Sequence, residues 1–417
     1  MNIQTKAIHA GVDKNQYGTC NTPIYQSAAY KFQDSGQAQR RFALEEGGPI
    51  YTRIGNPTES ALEERLSALF GGPALALASG SAAVLYSVLN LCHAGDTVMV
   101  AQNVYGGTFD LFSYTVPNMG IKVVWFNPTD INSTYKIQDA IKEHRPKVVF
   151  AESVANPNAD VTDIESLGNI CKAFNTKLIV DNTFTPLICD PFKLGADVVV
   201  HSATKFICGN GSTMGGCIIE NPESTWEGTY LSDPDPSYHG AIFSEVAAGA
   251  PFTTRTRCVI LRDTGACISP FNSWCLLNGL ETLPLRLKEH VKNAEEVIAF
   301  LQSVGVKVNH GAIDNTEVYN RNIKDGAVCS IFTIEVGSSK EEAQKFCDNL
   351  KLFYQLANVG DAKSLVTHPA TTTHSQLSVE ELKANNITPT TVRLSIGIED
   401  VNDIIKDLDQ ALYSVRI

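Results

Sequence analysis

The chain has 417 residues, long for one ordinary domain of about 150 residues and long enough for two or three around separate cores. Apolar residues make up 43%, charged residues 19% and aromatic residues 8%, a balance that excludes a disordered, collagen-like or coiled-coil architecture. Lys and Arg number 33 against 45 Asp and Glu, and the net charge of −12 without any basic run argues against nucleic acid as a partner.

The opening Met-Asn-Ile-Gln-Thr-Lys has no apolar signal core, and the longest apolar runs, such as 178–180 and 198–200, fall far short of a membrane span. The expectation is a soluble cytoplasmic protein with no membrane partner. Its 11 cysteines are odd in number and scattered singly, with no C-x-x-C pair, which predicts reduced and mostly buried thiols.

Residues 1–55 read as an irregular arm, with Gly11, Gly18, Pro23, Gly47 and Gly48 and no sustained period. From Pro57 the spacing of Leu62, Leu66, Leu69 and Phe70 predicts a helix stopped by Gly71 and Gly72. Strands are expected at 74–78, 97–101, 122–126, 147–151, 178–181 and 197–201, with an apolar helix at 81–92 and another helix at 164–174. Short strands apolar on both faces and separated by helices indicate an α/β fold, a mainly parallel sheet covered on both sides, with ligands beyond the carboxyl ends of the strands. This large domain is expected over 56–265. From 266 to 417 a smaller α+β domain is expected: Val297, Ile298, Leu301 and Val304 form a helix stripe, Phe332, Ile334 and Val336 alternate with polar residues, and Val401, Ile404, Ile405, Leu408 and Leu412 line one face of a final helix.

Asp181 and Lys205 close two of the apolar strands. A carboxylate at such a place needs a positive partner, and a partly desolvated lysine is a nucleophile. The two residues form a structural ion pair, or they serve a pyridinium cofactor, Asp181 holding the ring nitrogen protonated and Lys205 forming a Schiff base. Ser202 and Thr204 flank the lysine with hydroxyls. Ser79-Gly80-Ser81 opens the apolar helix, as a plain N-cap or as a set of free N–H groups for a phosphate. Tyr105, followed by Gly106 and Gly107, is placed to pack on the surface or to stack on a flat ring. Tyr51 and Arg53 share one side of an extended segment and offer a phosphate fork, or are a surface pair. Arg393 lies on the polar face of the alternating strand 391–395, where it is solvated or, if that face lines a cleft, binds a carboxylate bidentately. His368 and His374 match no common metal-ligand spacing, and no metal is expected.

Tyr51-Thr-Arg-x-x-Asn-Pro-Thr, Ser79-Gly-Ser-Ala-Ala, Val180-Asp-Asn-Thr-Phe, His201-Ser-Ala-Thr-Lys and Val392-Arg-Leu-Ser-Ile-Gly-Ile-Glu-Asp together resemble the Cys/Met-metabolism family of pyridoxal-phosphate enzymes, along nearly the whole chain. The resemblance implies a fold-type I transferase built as a homotetramer of two tight dimers, with the arm of one subunit reaching into its neighbour. It implies pyridoxal 5'-phosphate held by Lys205, by Asp181 at the ring nitrogen, by Gly80, Ser81, Ser202 and Thr204 at the phosphate, by Tyr105 against the ring and by Asn156 near the ring hydroxyl. Tyr51 and Arg53 then serve the adjoining subunit's site, Tyr51 also meeting substrate, while Arg393 and Asn358 bind the amino-acid substrate. Lys205 and Tyr105 are the implied catalytic residues.

Asp233-Pro-Asp-Pro-Ser-Tyr-His-Gly resembles the O-acetylhomoserine sulfhydrylase branch, Asn358 stands where lyases of the family commonly carry Ser, and Gly107 where methionine γ-lyases carry Cys. The implied reaction is γ-replacement on O-acetylhomoserine by sulfide or a small thiol. Methionine γ-lyase, cystathionine γ-synthase and cystathionine lyase activities are the alternatives.

Overall fold

Seven strands, β1 (Ala74–Leu77), β2 (Thr97–Ala101), β3 (Lys122–Phe126), β4 (Val148–Glu152), β5 (Lys177–Asp181), β6 (Val198–His201) and β7 (Gly216–Glu220), form one sheet in the order β1-β7-β6-β5-β4-β2-β3 in the computed structural model. The structure describes residues 1–12, 15, 17–43, 45–128, 133–375 and 378–415. Pairing is parallel from β6 through β5, β4 and β2 to β3, so these five strands end at one edge. The unforeseen β7 runs antiparallel to both β6 and β1 and separates them. Every residue of β4, β6 and β7 is buried, as a sheet covered on both faces requires.

The helices begin and end where local chemistry allows. Pro57–Phe70 starts at Asn56, whose side chain accepts the Thr58 N–H, has Pro57 in its first turn, and stops at Gly71 with φ of +85°. Gly80–Leu89 starts at Ser79, whose hydroxyl accepts the Ala82 N–H at 3.1 Å. The arm is less irregular than the glycines suggest, since Ile3–His9 and Ser35–Phe42 are helical.

A second sheet of five strands, β8 (Lys307–Asn309), β9 (Ile331–Glu335), β10 (Tyr354–Gln355), β11 (Leu365–Thr367) and β12 (Thr391–Ser395), has the order β10-β11-β12-β9-β8. Its pairs are antiparallel except β10 with β11. The helix stripe around Val297 belongs to one 34-residue helix, Pro270–Ser303, which packs on Ile3–His9 and Pro57–Phe70 and also on the final helix Val401–Tyr413. All the cysteines are free thiols, and all but Cys20, Cys267 and Cys275 are buried. No described helix is long and apolar enough to cross a membrane.

Candidate active site

The edge where β4, β5 and β6 end opens into a cavity of about 400 Å³ that the second sheet closes with Arg393. Gly80, Ser81, Tyr105, Asn156, Asp181, Ser202, Thr204, Lys205, Asn358 and Arg393, all singled out from the sequence, line it. Ser79 caps the Ala82 N–H, and Gly80 and Ser81, the first residues of the helix Gly80–Leu89, line this space. Gly80 is required there because a Cβ would sit 2.7 Å from the Ser202 Cβ. Ser202 is fixed by its N–H donating to Thr183 Oγ1 at 2.8 Å. The Thr204 hydroxyl exchanges hydrogen bonds with the Gly215 carbonyl and N–H at 3.2 and 3.1 Å.

Asp181 and Lys205 make no ion pair. Lys205 Nζ donates to Asn358 Oδ1 at 2.6 Å, and burial, helped by the positive charge of Arg393, lowers its pKa to about 8. Asp181 Oδ1 accepts the Thr183 N–H at 2.9 Å, no cation pairs with it among the described residues, and burial raises its pKa to about 6. A half-buried carboxylate without a positive partner and a lysine whose proton is held weakly are the complement of a pyridinium ring bearing a carbonyl carbon. With the N–H groups of a helix terminus and two hydroxyls at the other end, the residues present fit pyridoxal phosphate.

Arg393 is 3% exposed, in the middle of β12, and burial lowers its pKa to about 10. Its Nη1 donates to Asn156 Oδ1 at 2.9 Å, while Nη2 donates to the Asn358 carbonyl at 3.2 Å and to Thr367 Oγ1 at 3.3 Å. Asn358 thus holds both the lysine and the arginine. Tyr105 stays 44% exposed at the start of the short helix Gly106–Asp110, and a Cβ on Gly107 would lie 2.7 Å from its ring.

Tyr51 and Arg53 do not line this cavity. Both are exposed, residues 52–54 form a turn in place of the expected extended segment, and the Arg53 guanidinium sits 5.3 Å from the centre of the Tyr51 ring. The segment 233–240 also lies elsewhere, with buried Asp235 bonded to Arg255 Nε at 3.1 Å. His368 has both ring nitrogens occupied, by Thr371 Oγ1 and the Pro389 carbonyl.

Glu152, Thr183, Phe184, Met214 and Thr373 line the cavity without having been foreseen. Glu152 carries the same signal as Asp181, a carboxylate closing an apolar strand. Met214 and Thr373 come from loops whose sequence has no period to place them.

The sequence profile of the Cys/Met-metabolism PLP-dependent enzymes matches residues 4–413. The chain is 40% identical to an O-acetyl-L-homoserine sulfhydrylase of Leptospira meyeri and 42% identical to one of Corynebacterium glutamicum, in each case over 99% of this chain and 97% of the relative. A Campylobacter jejuni crystal structure described as an O-acetylhomoserine (thiol)-lyase, with N'-pyridoxyl-lysine-5'-monophosphate at its position 205, superposes with a TM-score of 0.93 and 39% identity over 99% of this chain and all of that one.

Proposed function

Because the chain belongs to the Cys/Met-metabolism PLP-dependent enzymes, we propose that this cavity performs γ-replacement on O-acetyl-L-homoserine. Hydrogen sulfide gives homocysteine and acetate; methanethiol gives methionine and acetate. The observation that carries the reading is the convergence of Asp181, Lys205 and Arg393 on one cavity without an ion pair among them, so that each is left to meet a group of a ligand. The choice of substrate is supported by the relatives named O-acetyl-L-homoserine sulfhydrylase, similar over nearly their whole length.

Lys205 is the residue to hold pyridoxal phosphate, a role supported by the pyridoxyl-lysine of the Campylobacter jejuni structure. Asp181 faces the ring nitrogen, Asn156 the ring hydroxyl, and Gly80, Ser81, Ser202 and Thr204 the phosphate. When bound, the cofactor supplies an electron sink that makes the Cα and Cβ protons of the substrate acidic. Arg393 binds the substrate carboxylate, its fork already oriented by Asn156, Thr367 and Asn358. Lys205 Nζ, once freed, would take a proton from Cα, pass it to the cofactor, and, neutral again, take one from Cβ; the same transfers would run in reverse after sulfur has replaced acetate at Cγ. Asn358 Oδ1 keeps that amine over the reacting carbons. Tyr105 is the further candidate to give or take a proton beside the leaving acetate.

Residues 56–265 form the cofactor domain in this reading and 266–417 the C-terminal domain. Residues 1–55 are an arm, and its exposed Tyr51 and Arg53 complete the site of a neighbouring subunit in a homotetramer of two dimers. O-acetylhomoserine, O-succinylhomoserine, cystathionine and methionine assayed side by side, with and without sulfide, test the proposal. Homocysteine should form from O-acetylhomoserine much faster than 2-oxobutanoate forms without sulfide. Methionine turned over to methanethiol and 2-oxobutanoate at a comparable rate would replace this reading with a lyase.

A further inference from the structure

Glu152 ends β4 beside Asp181, its register partner on β5, in the wall of the cavity. It is 5% exposed and pairs with no cation among the described residues. Two carboxylates side by side in such a place oppose each other, and a neutral side chain would close the strand at lower cost. What Glu152 does instead is accept two N–H groups from two different segments of the site. Oε1 takes the N–H of Tyr105 at 2.7 Å, and Oε2 takes the N–H of Asn156 at 3.1 Å. Tyr105 starts the short helix that presents the ring-facing aromatic, and Asn156 Oδ1 holds Arg393 Nη1. One carboxylate therefore spans the wall facing the cofactor ring and the clamp facing the substrate carboxylate.

We propose that Glu152 is a positioning residue that sets the place of the Asn156–Arg393 clamp relative to Tyr105, and so sets how tightly the carboxylate of the amino-acid substrate is held. The proposal rests on the PLP site and the Arg393 role proposed above, and not on which γ-substituent leaves. Burial and the neighbouring Asp181 raise the Glu152 pKa to about 8, while the two N–H bonds oppose that rise, so both bonds favour the ionised form.

Glu152→Gln is the direct test, because an amide offers one oxygen and one NH2 and can keep only one of the two N–H bonds. Holoenzyme of the native chain and the variant is titrated with glycine, which has a carboxylate, and with n-propylamine, which has none, reading the change in visible absorption. Glycine binding should weaken about tenfold in the variant, as the loss of one buried hydrogen bond predicts, while propylamine binding changes less than about twofold. The KM for O-acetylhomoserine should rise more than kcat falls. Glu152→Asp, which keeps the carboxyl group but is too short to reach both N–H groups, should fall between the native chain and Glu152→Gln in glycine affinity.

Equal weakening of both ligands, or none, overturns the proposal. So does failure of both variants to retain cofactor, which would make Glu152 a support of the fold. A native chain that binds glycine normally but does not convert O-acetylhomoserine sinks the substrate assignment and leaves this result standing.

Discussion

The two sheets deliver their charged residues to the cavity in different ways. The large sheet does so at strand ends: five neighbouring strands run the same way, so Glu152 and Asp181 at their last positions, and Lys205 shortly after β6, collect at one edge. The smaller sheet delivers Arg393 from the middle of a strand, with every residue of β12 buried. A strand end meets solvent or ligand by construction, whereas a charge in mid-strand must be matched by partners on the facing surface. Arg393 finds Asn156 there, supplied by the chain following β4 of the other sheet. Chemistry at an edge follows from topology, and chemistry on a face depends on what packs against it.

The largest expected effect is at the edge. Lys205→Ala should lower turnover by at least about 10³-fold and remove the visible absorption of the cofactor-bound protein, since no other lysine among the described residues lines the cavity. Retention of either would break the comparison at its strongest place. Asp181→Asn should leave a folded protein with kcat lower by about 10²-fold, because a neutral amide holds the ring-nitrogen proton poorly, and near-normal kcat would remove the ring-nitrogen role.

On the face, Arg393→Lys should raise the KM for O-acetylhomoserine by about tenfold, because a single ammonium cannot reproduce the fork. A drop in kcat without a change in KM would show that the mid-strand cation acts on the reaction and not on binding. In the reading proposed above, the arm adds a third mode, delivery from another subunit. Inactive Arg53→Ala and inactive Lys205→Ala, mixed and allowed to exchange subunits, should recover roughly a quarter of native activity, since half the dimers are hybrid and each has one intact site. Absence of recovery after verified exchange would return Tyr51 and Arg53 to their own chain.

The smallest effect concerns stability without cofactor. The folded-state pKa of Asp181, raised by burial from 3.8 to about 6, means that the folded apoprotein holds this proton more firmly than the unfolded chain. Its contribution to stability is therefore greatest below about pH 4 and is lost as pH rises through about 6. Asp181→Asn apoprotein should lose less stability than the native chain over that window, measured by denaturant unfolding at several pH values. A larger loss in the variant would reverse the sign and show that Asp181 has a positive partner in the folded apoprotein.

The same difference between edge and face explains what could be read before the structure. Runs such as Leu178 to Asp181 mark both a strand and its end, so Asp181 and Lys205 could be placed on one edge from spacing alone. Glu152 has the same mark, but the apolar run 147–151 stops one residue short of it. Arg393 could be put on the polar face of its strand, but nothing local says that this face is covered by Asn156 and Asn358. The antiparallel β7 is not legible because Gly215 and Gly216 mark its start as a turn and the run that follows has no alternation, Cys217, Ile218, Ile219 and Glu220 all being buried. The helix Pro270–Ser303 was seen only in its last third because Pro284 and Gly279 interrupt the pattern that its packing on two other helices sustains.

The position of β7 between β1 and β6 bears on the order of events during synthesis. The helix terminus at Gly80 leaves the ribosome long before Ser202, and β7, which lies between the strands that carry them, is made after both. Arg393 follows only near the end of translation. Contacts so distant in sequence form late and slowly. A nascent chain cut anywhere before the last strand therefore lacks Arg393, so the substrate clamp is completed only when nearly all of the polypeptide has been made.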